Sequence, residues 1–196
     1  MDDIHKAVGK ILLDLSIPGT EVMLDSACGG PTTVPFYGLD HGEGSDHIVE
    51  VDAAIVFKNE IKVVVEIDAS DLRPVALCGK VLATAISNHF RLGKVSIPLS
   101  DSLLFIQVVQ HSADKTNTSK LRQCKYMARE IKKCLVAAKN RITEYSFHYA
   151  TTEDFAAEAR HAHEIRQEIT SFLTIAECDL SASNGLGTEG CDPKRR

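Results

Sequence analysis

The chain has 196 residues, 44% hydrophobic and 25% charged, with 22 basic against 27 acidic side chains and a formal net charge of −5. That length and balance fit one domain with a proper core; the acidic surplus argues against a surface that binds nucleic acid all over, yet allows a local basic face. No apolar run approaches the roughly 20 residues of a membrane-spanning helix. The start, Met1 to His5, lacks the basic and apolar regions of a secretory signal. The six cysteines contain no C-x-x-C pair and read as reduced thiols, so the expectation is a cytoplasmic protein with no membrane partner.

Residues 3–16 read as a helix, because Ile4, Ala7, Val8, Ile11, Leu12 and Leu15 recur at helical spacing. Pro18-Gly19 ends it. Glu21–Leu24 is a short candidate strand. Residues 25–46 are rich in Gly, Pro, Asp, Ser and Thr and read as a long, partly ordered loop; loops of that length are more often functional than idle. From Ile48 the period changes to two, with Val51, Ala53, Ile55 and Phe57 on one face and Glu50, Asp52, Ala54 and Val56 on the other. After Lys58-Asn59-Glu60 the alternation resumes, with Ile61, Val63, Val65 and Ile67 opposite in facing to Lys62, Val64, Glu66 and Asp68. This is a hairpin signature.

Pro74 opens a helix running to about His89, with Leu77, Cys78, Val81, Leu82, Ala85 and Ile86 toward the core. Leu103–Gln110 is a continuous apolar run of strand length and reads as a central strand. Residues 117–139 form the longest predicted helix, striped by Leu121, Cys124, Ala128, Ile131, Leu135 and Ala138. A strand near Thr143–Tyr149 and a helix near Glu153–Leu173 follow. Residues 1–176 are therefore expected to form a single α/β domain, and 177–196 a disordered C-terminal tail.

The hairpin places its acids together. A three-residue loop at Lys58–Glu60 pairs Phe57 with Ile61, so that Asp52 falls opposite Glu66 and Glu50 opposite Asp68. Directly opposed side chains have Cβ atoms about 4.5–5.5 Å apart, and like charges that close repel strongly unless a cation offsets them. The acid-x-acid spacing itself means little, since it occurs no more often than the composition gives by chance. Its position matters: two of its occurrences meet on adjacent strands, one of which is largely apolar. Carboxylates are hard oxygen ligands, so Asp52, Glu66 and Asp68, with Glu50 as a possible additional acid, are candidate ligands for Mg²⁺ or Mn²⁺. The competing reading is a solvated acidic rim.

The order helix, hairpin ending in Glu-x-acid, helix, strand, helix resembles the PD-(D/E)xK nuclease superfamily, the restriction-endonuclease-like fold. In that family an Asp on one strand and a (D/E)-x-K motif on the next bind Mg²⁺ at the scissile phosphate. Asp52 matches the first acid, and Glu66 the second after a gap of 13 residues. Asp68 stands where the motif has Lys, which is a departure from the pattern. The resemblance implies a mixed sheet of about four or five strands with helices on both faces. It further implies a Mg²⁺-dependent DNA endonuclease in which Asp52, Glu66 and Asp68 are catalytic, acting as a homodimer or with a separate specificity subunit. The alternative is a catalytically inactive protein of the same fold, serving as a nucleic-acid-binding or assembly module.

With no lysine at position 68, Lys80 is the candidate cation, because Gly79 beside it would permit close approach of the helix to the strand. Lys62 shares the face parity of Glu66 but lies about 13 Å along the strand, at about 3.3 Å per residue. A second feature is basic: Lys115 to Arg141 holds nine basic residues and one acid, Glu130. Lys120, Arg122, Lys125, Arg129, Lys132 and Lys133 on that helix form a candidate DNA-contacting face, against the plainer reading of a solvated amphipathic helix. His161 and His163, two apart on a helix, do not share a face and make a poor metal pair. No P-loop, dinucleotide or G-x-S-x-G motif is present.

Overall fold

A computed structural model describes residues 4–38, 46–69, 74–111, 118–138, 140–156 and 158–183, apart from the side chains of 118, 120, 121 and 178–183. Helix α1 (Ile4–Leu13) buries Ile4, Val8, Ile11 and Leu12, the stripe its spacing predicts. Its Gly9 faces the turn after β1 (Thr20–Leu24) so closely that a Cβ would lie 2.1 Å from the Cys28 carbonyl oxygen. Because that neighbour is backbone, Gly9→Ala is expected to cost about 1–3 kcal/mol of stability in urea unfolding. An unchanged midpoint would show that α1 is free to move away.

Two short strands, β2 (Val34–Tyr37) and β3 (His47–Val51), precede the hairpin of β4 (Ala53–Phe57) and β5 (Glu60–Asp68). Helix α2 (Pro74–Ile86), β6 (His89–Leu92) and the long β7 (Val95–Gln110) follow, then α3 (Thr118–Ala138) and β8 (Ile142–Ala150). A 3-10 turn at Glu153–Phe155 leads into α4 (Arg160–Ser183). The core sheet runs β1-β4-β5-β7-β8, antiparallel from β1 to β5 and parallel from β5 to β8. The N-terminal half of β7 pairs antiparallel with β6, which continues through β2 to β3. The sheet thus has eight strands among the described residues, where four or five were expected. Of the extra three, β2 lies in the stretch read as a loop, β3 is the first half of the strand expected from Ile48, split from β4 at Asp52, and β6 follows α2, which ends at Ile86 and not near His89.

Helices cover both faces. Val63, Val65 and Ile67 of β5 pack in one cluster with Val8 and Ile11 of α1 and Ile165 and Ile169 of α4. On the other face Val64, Phe105 and Tyr145 pack with Val81 of α2 and with Ala128, Ile131 and Leu135 of α3. Each large aliphatic side chain so buried stabilises the fold by about 1.5–3 kcal/mol. The α2 stripe is narrower than expected. Leu77 and Val81 are buried, whereas Cys78, Leu82 and Ile86 are exposed and, with Tyr126 and Cys134 of α3, line an apolar groove of about 540 Å³.

The hairpin corrects the predicted turn but recovers the predicted register. Its loop is two residues, Lys58 and Asn59, both at positive φ (54° and 65°), the twist that two-residue hairpins require. Phe57 pairs with Glu60, then a bulge at Lys62 shifts the ladder so that Ile55 pairs Val63 and Ala53 pairs Val65. The bulged Lys62 is buried, its Nζ donating to Ser100 Oγ at 2.5 Å and meeting Glu60 at 3.0 Å. At the other end the register prediction fails for Glu50. The chain leaves the hairpin at Asp52 and β3 pairs with β2, so that Glu50 is exposed opposite Pro35 instead of opposite Asp68.

Helix α4 continues through Ser183, past the expected end near Leu173 and into the segment read as a tail; residues 184–196 lie outside the described part. Cys28, Cys78, Cys124 and Cys134 form no disulfide. Among the described residues no helix is long and apolar enough to cross a membrane.

Candidate active site

Asp52 sits at the break between β3 and β4, where its backbone carbonyl accepts from Asp25 N–H at 2.9 Å. Its Oδ2 accepts from Ile67 N–H at 2.6 Å, so a carboxylate takes a β5 donor that a continuing β3 would have taken. The same carboxylate therefore ends the hairpin ladder and is pinned beside the carboxyl end of β5. His5 of α1 approaches it from the other side, Nε2 lying 3.8 Å from Oδ1.

Glu66 is the next side chain along this face and is 1% exposed. Lys80, in the second turn of α2, reaches down to it: Nζ lies 2.5 Å from Glu66 Oε2 and 3.6 Å from Asp52 Oδ2. Gly79 does not make the close approach expected of it: it is exposed, and nothing lies within 4 Å of where its Cβ would stand. Burial pushes the Glu66 carboxyl up to about 8; Lys80 opposes that rise and Asp52 adds to it. For Lys80 burial acts downward, but Glu66, Asp52 and Asp68 outweigh it and the ammonium is held above its ordinary range. Lys80 is accordingly charged at neutral pH, while Glu66 keeps a proton close at hand.

Asp68, half-buried at the end of β5, acts on Lys80 through its charge. The structure thus brings Asp52, Glu66 and Lys80 together, sets Asp68 at the margin, and leaves Glu50 on the β2 pairing edge. The four-carboxylate cluster expected from the hairpin contracts to a core of two acids and one lysine.

One participant was missed from the sequence. Gln107 of β7 is the register partner of Glu66, is 1% exposed, and accepts from the Tyr145 hydroxyl at 2.8 Å through Oε1. Its Nε2 and Glu66 Oε1 are both buried, and neither has a hydrogen-bond partner among the described residues. Two orphaned polar atoms on adjacent strands are costly unless a ligand or ion completes them. The available signal was a lone amide inside the apolar run Leu103–Gln110.

The basic helix starts at the same end. Since β7 and β8 are parallel, α3 leaves the carboxyl end of β7 and runs back along the sheet, which sets its N-terminal half nearest the Asp68 end of β5. Arg122, Lys125 and Arg129 are exposed there around Tyr126 and line a shallow groove with it. Arg129 also stacks near the Tyr126 ring at 5.4 Å. Lys132 and Lys133 are exposed farther along, Lys133 pairing with Glu130 at 3.0 Å, and the Lys120 side chain lies outside the described part.

Comparisons of the chain with protein-family models, with curated proteins and with solved structures found no match.

Proposed function

We propose that the chain is a Mg²⁺- or Mn²⁺-dependent DNA endonuclease of restriction-endonuclease-like fold, with Asp52 and Glu66 as metal ligands and Lys80 in place of the motif lysine. The observation that carries this reading is Lys80 Nζ held 2.5 Å from buried Glu66 and 3.6 Å from Asp52. It supplies from α2 the cation that the strand position occupied by Asp68 does not. The element order around it, α1, β1, the β4–β5 hairpin, α2 and β7, agrees with that fold once β2, β3 and β6 are set aside as additions.

The residues fit such a metal. Two carboxylates converge, one Glu66 oxygen is buried without a partner among the described residues, and oxygen donors of this kind suit Mg²⁺ and Mn²⁺. A bound ion would lower the pKa of a water and offset charge developing on a phosphate. Asp52 is oriented for its part by Ile67 N–H, and Asp68 stands where it can order a water at the margin. Lys80, itself 31% exposed, contributes positive charge held against buried Glu66, where solvent screens it less than at an open surface. Arg122, Lys125 and Arg129 would track the phosphate backbone on the way to the site, and a second copy or a specificity subunit would position the other strand.

A second reading keeps the fold and drops the chemistry. Lys80 already offsets part of the acidic charge, and Glu66, its carboxyl pushed up to about 8, is protonated at neutral pH and offers a metal no charge there. The two readings separate in one assay. Wild type incubated with DNA and Mg²⁺ or Mn²⁺ is expected to cleave, and Asp52→Asn to lose at least 10³-fold of that rate. Binding without cleavage in both proteins, with a log–log salt slope that falls by about 3 on removing Arg122, Lys125 and Arg129, would favour the non-catalytic module.

A further inference from the structure

On the opposite face of the sheet His148 of β8 lies among residues of α4. It is in register with Val108, which packs in the cluster shared with α1 and α4, whereas Glu66 is in register with Gln107. β5 and β8 are two strand spacings apart, about 10 Å at about 4.8 Å each. The two clusters are therefore separate.

His148 Nδ1 lies 3.2 Å from His161 Nδ1, His161 Nδ1 lies 3.1 Å from Glu164 Oε2, and His148 Nδ1 lies 3.9 Å from the same oxygen. Two imidazole nitrogens and one carboxylate oxygen, each able to ligate a metal, thus converge on one point, where without an ion the two Nδ1 atoms are in hydrogen-bond contact. A four-coordinate Zn²⁺ with bonds of about 2.0–2.2 Å separates its ligand atoms by about 3.3–3.6 Å, which brackets the mean of these spacings. His161 and Glu164 are i and i+3 on α4 and share a face. That pairing, and not His161 with His163, is the one the helix presents.

The surroundings orient these atoms as outer partners do in zinc sites. His148 Nε2 lies 3.2 Å from Glu168 Oε2 and 3.2 Å from Ser146 Oγ, and a proton placed on Nε2 by that carboxylate turns Nδ1 toward the common point as the ligating atom. Arg160 Nε donates to Glu164 Oε1 at 2.6 Å and leaves Oε2 for the common point. The Phe155 ring stacks on His161 with centroids 5.4 Å apart and fixes its plane. His148 is 4% exposed, whereas the His161 and Glu164 side chains are 24% and 31% exposed, so the fourth side opens to solvent.

We infer that His148, His161 and Glu164 form a binding site for a zinc-class transition metal, completed by water and linking β8 to α4, with Glu168 as a positioning residue behind His148. Nitrogen donors select such a metal over the Mg²⁺ class. The site stands independently of the nuclease reading, since it shares no residue with Asp52, Glu66 or Lys80.

The test is titration of metal-free protein with Zn²⁺ alone, followed by calorimetry, with Co²⁺ as a spectroscopic substitute. Wild type is expected to bind one Zn²⁺ and to show the visible bands of four-coordinate Co²⁺. His161→Ala and Glu164→Gln are each expected to weaken binding at least tenfold, and Glu168→Gln by about 10–100-fold. These partly exposed positions are chosen because His148→Ala would open the core; circular dichroism establishes that each variant is folded. The double variant Asp52→Asn/Glu66→Gln is expected to bind Zn²⁺ as wild type does. Absence of binding in wild type, equal affinity in folded His161→Ala, or loss of binding only in the Asp52/Glu66 variant would each overturn the site.

Discussion

Glu66→Gln is expected to abolish Mn²⁺-dependent DNA cleavage and the thermal stabilisation by Mn²⁺, and at the same time to make the metal-free protein more stable at pH 8. The amide keeps the volume and most of the hydrogen-bonding capacity of the side chain but cannot ionise. Folded Glu66 titrates at about 8 and its ordinary value is 4.5. An acid raised in this way contributes stability that is complete below pH 4.5 and is lost as pH rises through 8. Wild type should therefore lose about 1 kcal/mol per pH unit relative to the variant across that window, close to the full linkage of one proton. Urea unfolding at pH 5, 6.5 and 8 measures the slope. Metal binding needs the carboxylate, so wild-type Mn²⁺ affinity should rise up to tenfold per unit toward pH 8 and then level off. A variant with the same pH slope as wild type would mean that Glu66 is already ionised in the folded protein.

The strand alternation made Asp52 and Glu66 legible together, by a route that contained a compensating error. A three-residue turn was inferred; a two-residue turn plus a bulge at Lys62 gives the same pairing beyond it, because each arrangement inserts one residue. The core stripe of β5 then specifies the register, since a one-residue slip would turn Val63, Val65 and Ile67 out of their cluster. Glu50 was misplaced for the opposite reason. Its partner strand, Val34–Tyr37, is four residues long and contains Pro35, so it carries no alternation by which a strand could be recognised. Pairing with that strand is a tertiary event, and Asp52 marks where it begins.

Lys80 was reachable from the sequence through its place in the second turn of a helix starting at Pro74, although its orientation depended on how closely α2 lies against β5. The His148 cluster was not reachable by the same means. His161, Glu164 and Glu168 do follow helical spacing, but their fourth member comes from a strand, and only the packing of α4 on β8 brings it within 3.2 Å. Helical or strand periodicity reports which residues share a face of one element. It carries no information about which face of another element that one meets.

Lys80→Ala is expected to reduce cleavage by about 10²–10³-fold, as removal of one preorganised charge does at comparable sites, while leaving Mn²⁺ binding at least as strong as in wild type. The ammonium sits 2.5 Å from Glu66 Oε2, so it competes with a divalent ion for that carboxylate, and its removal relieves the competition. Loss of stability should be small at pH 7 and below, about 1 kcal/mol for the hydrogen bond, because Glu66 is then protonated and carries no charge to leave uncompensated. Above pH 8 the wild-type carboxylate ionises against Lys80 and the variant's cannot do so without cost, so the difference between them should widen as pH rises. Lys80→Arg keeps the charge and should recover part of the rate, although its planar fork cannot reproduce a point contact with Glu66. A purely architectural lysine predicts a different pattern, in which stability, Mn²⁺ binding and cleavage fall together in Lys80→Ala and all three return in Lys80→Met, which restores the packing of the stem without the charge.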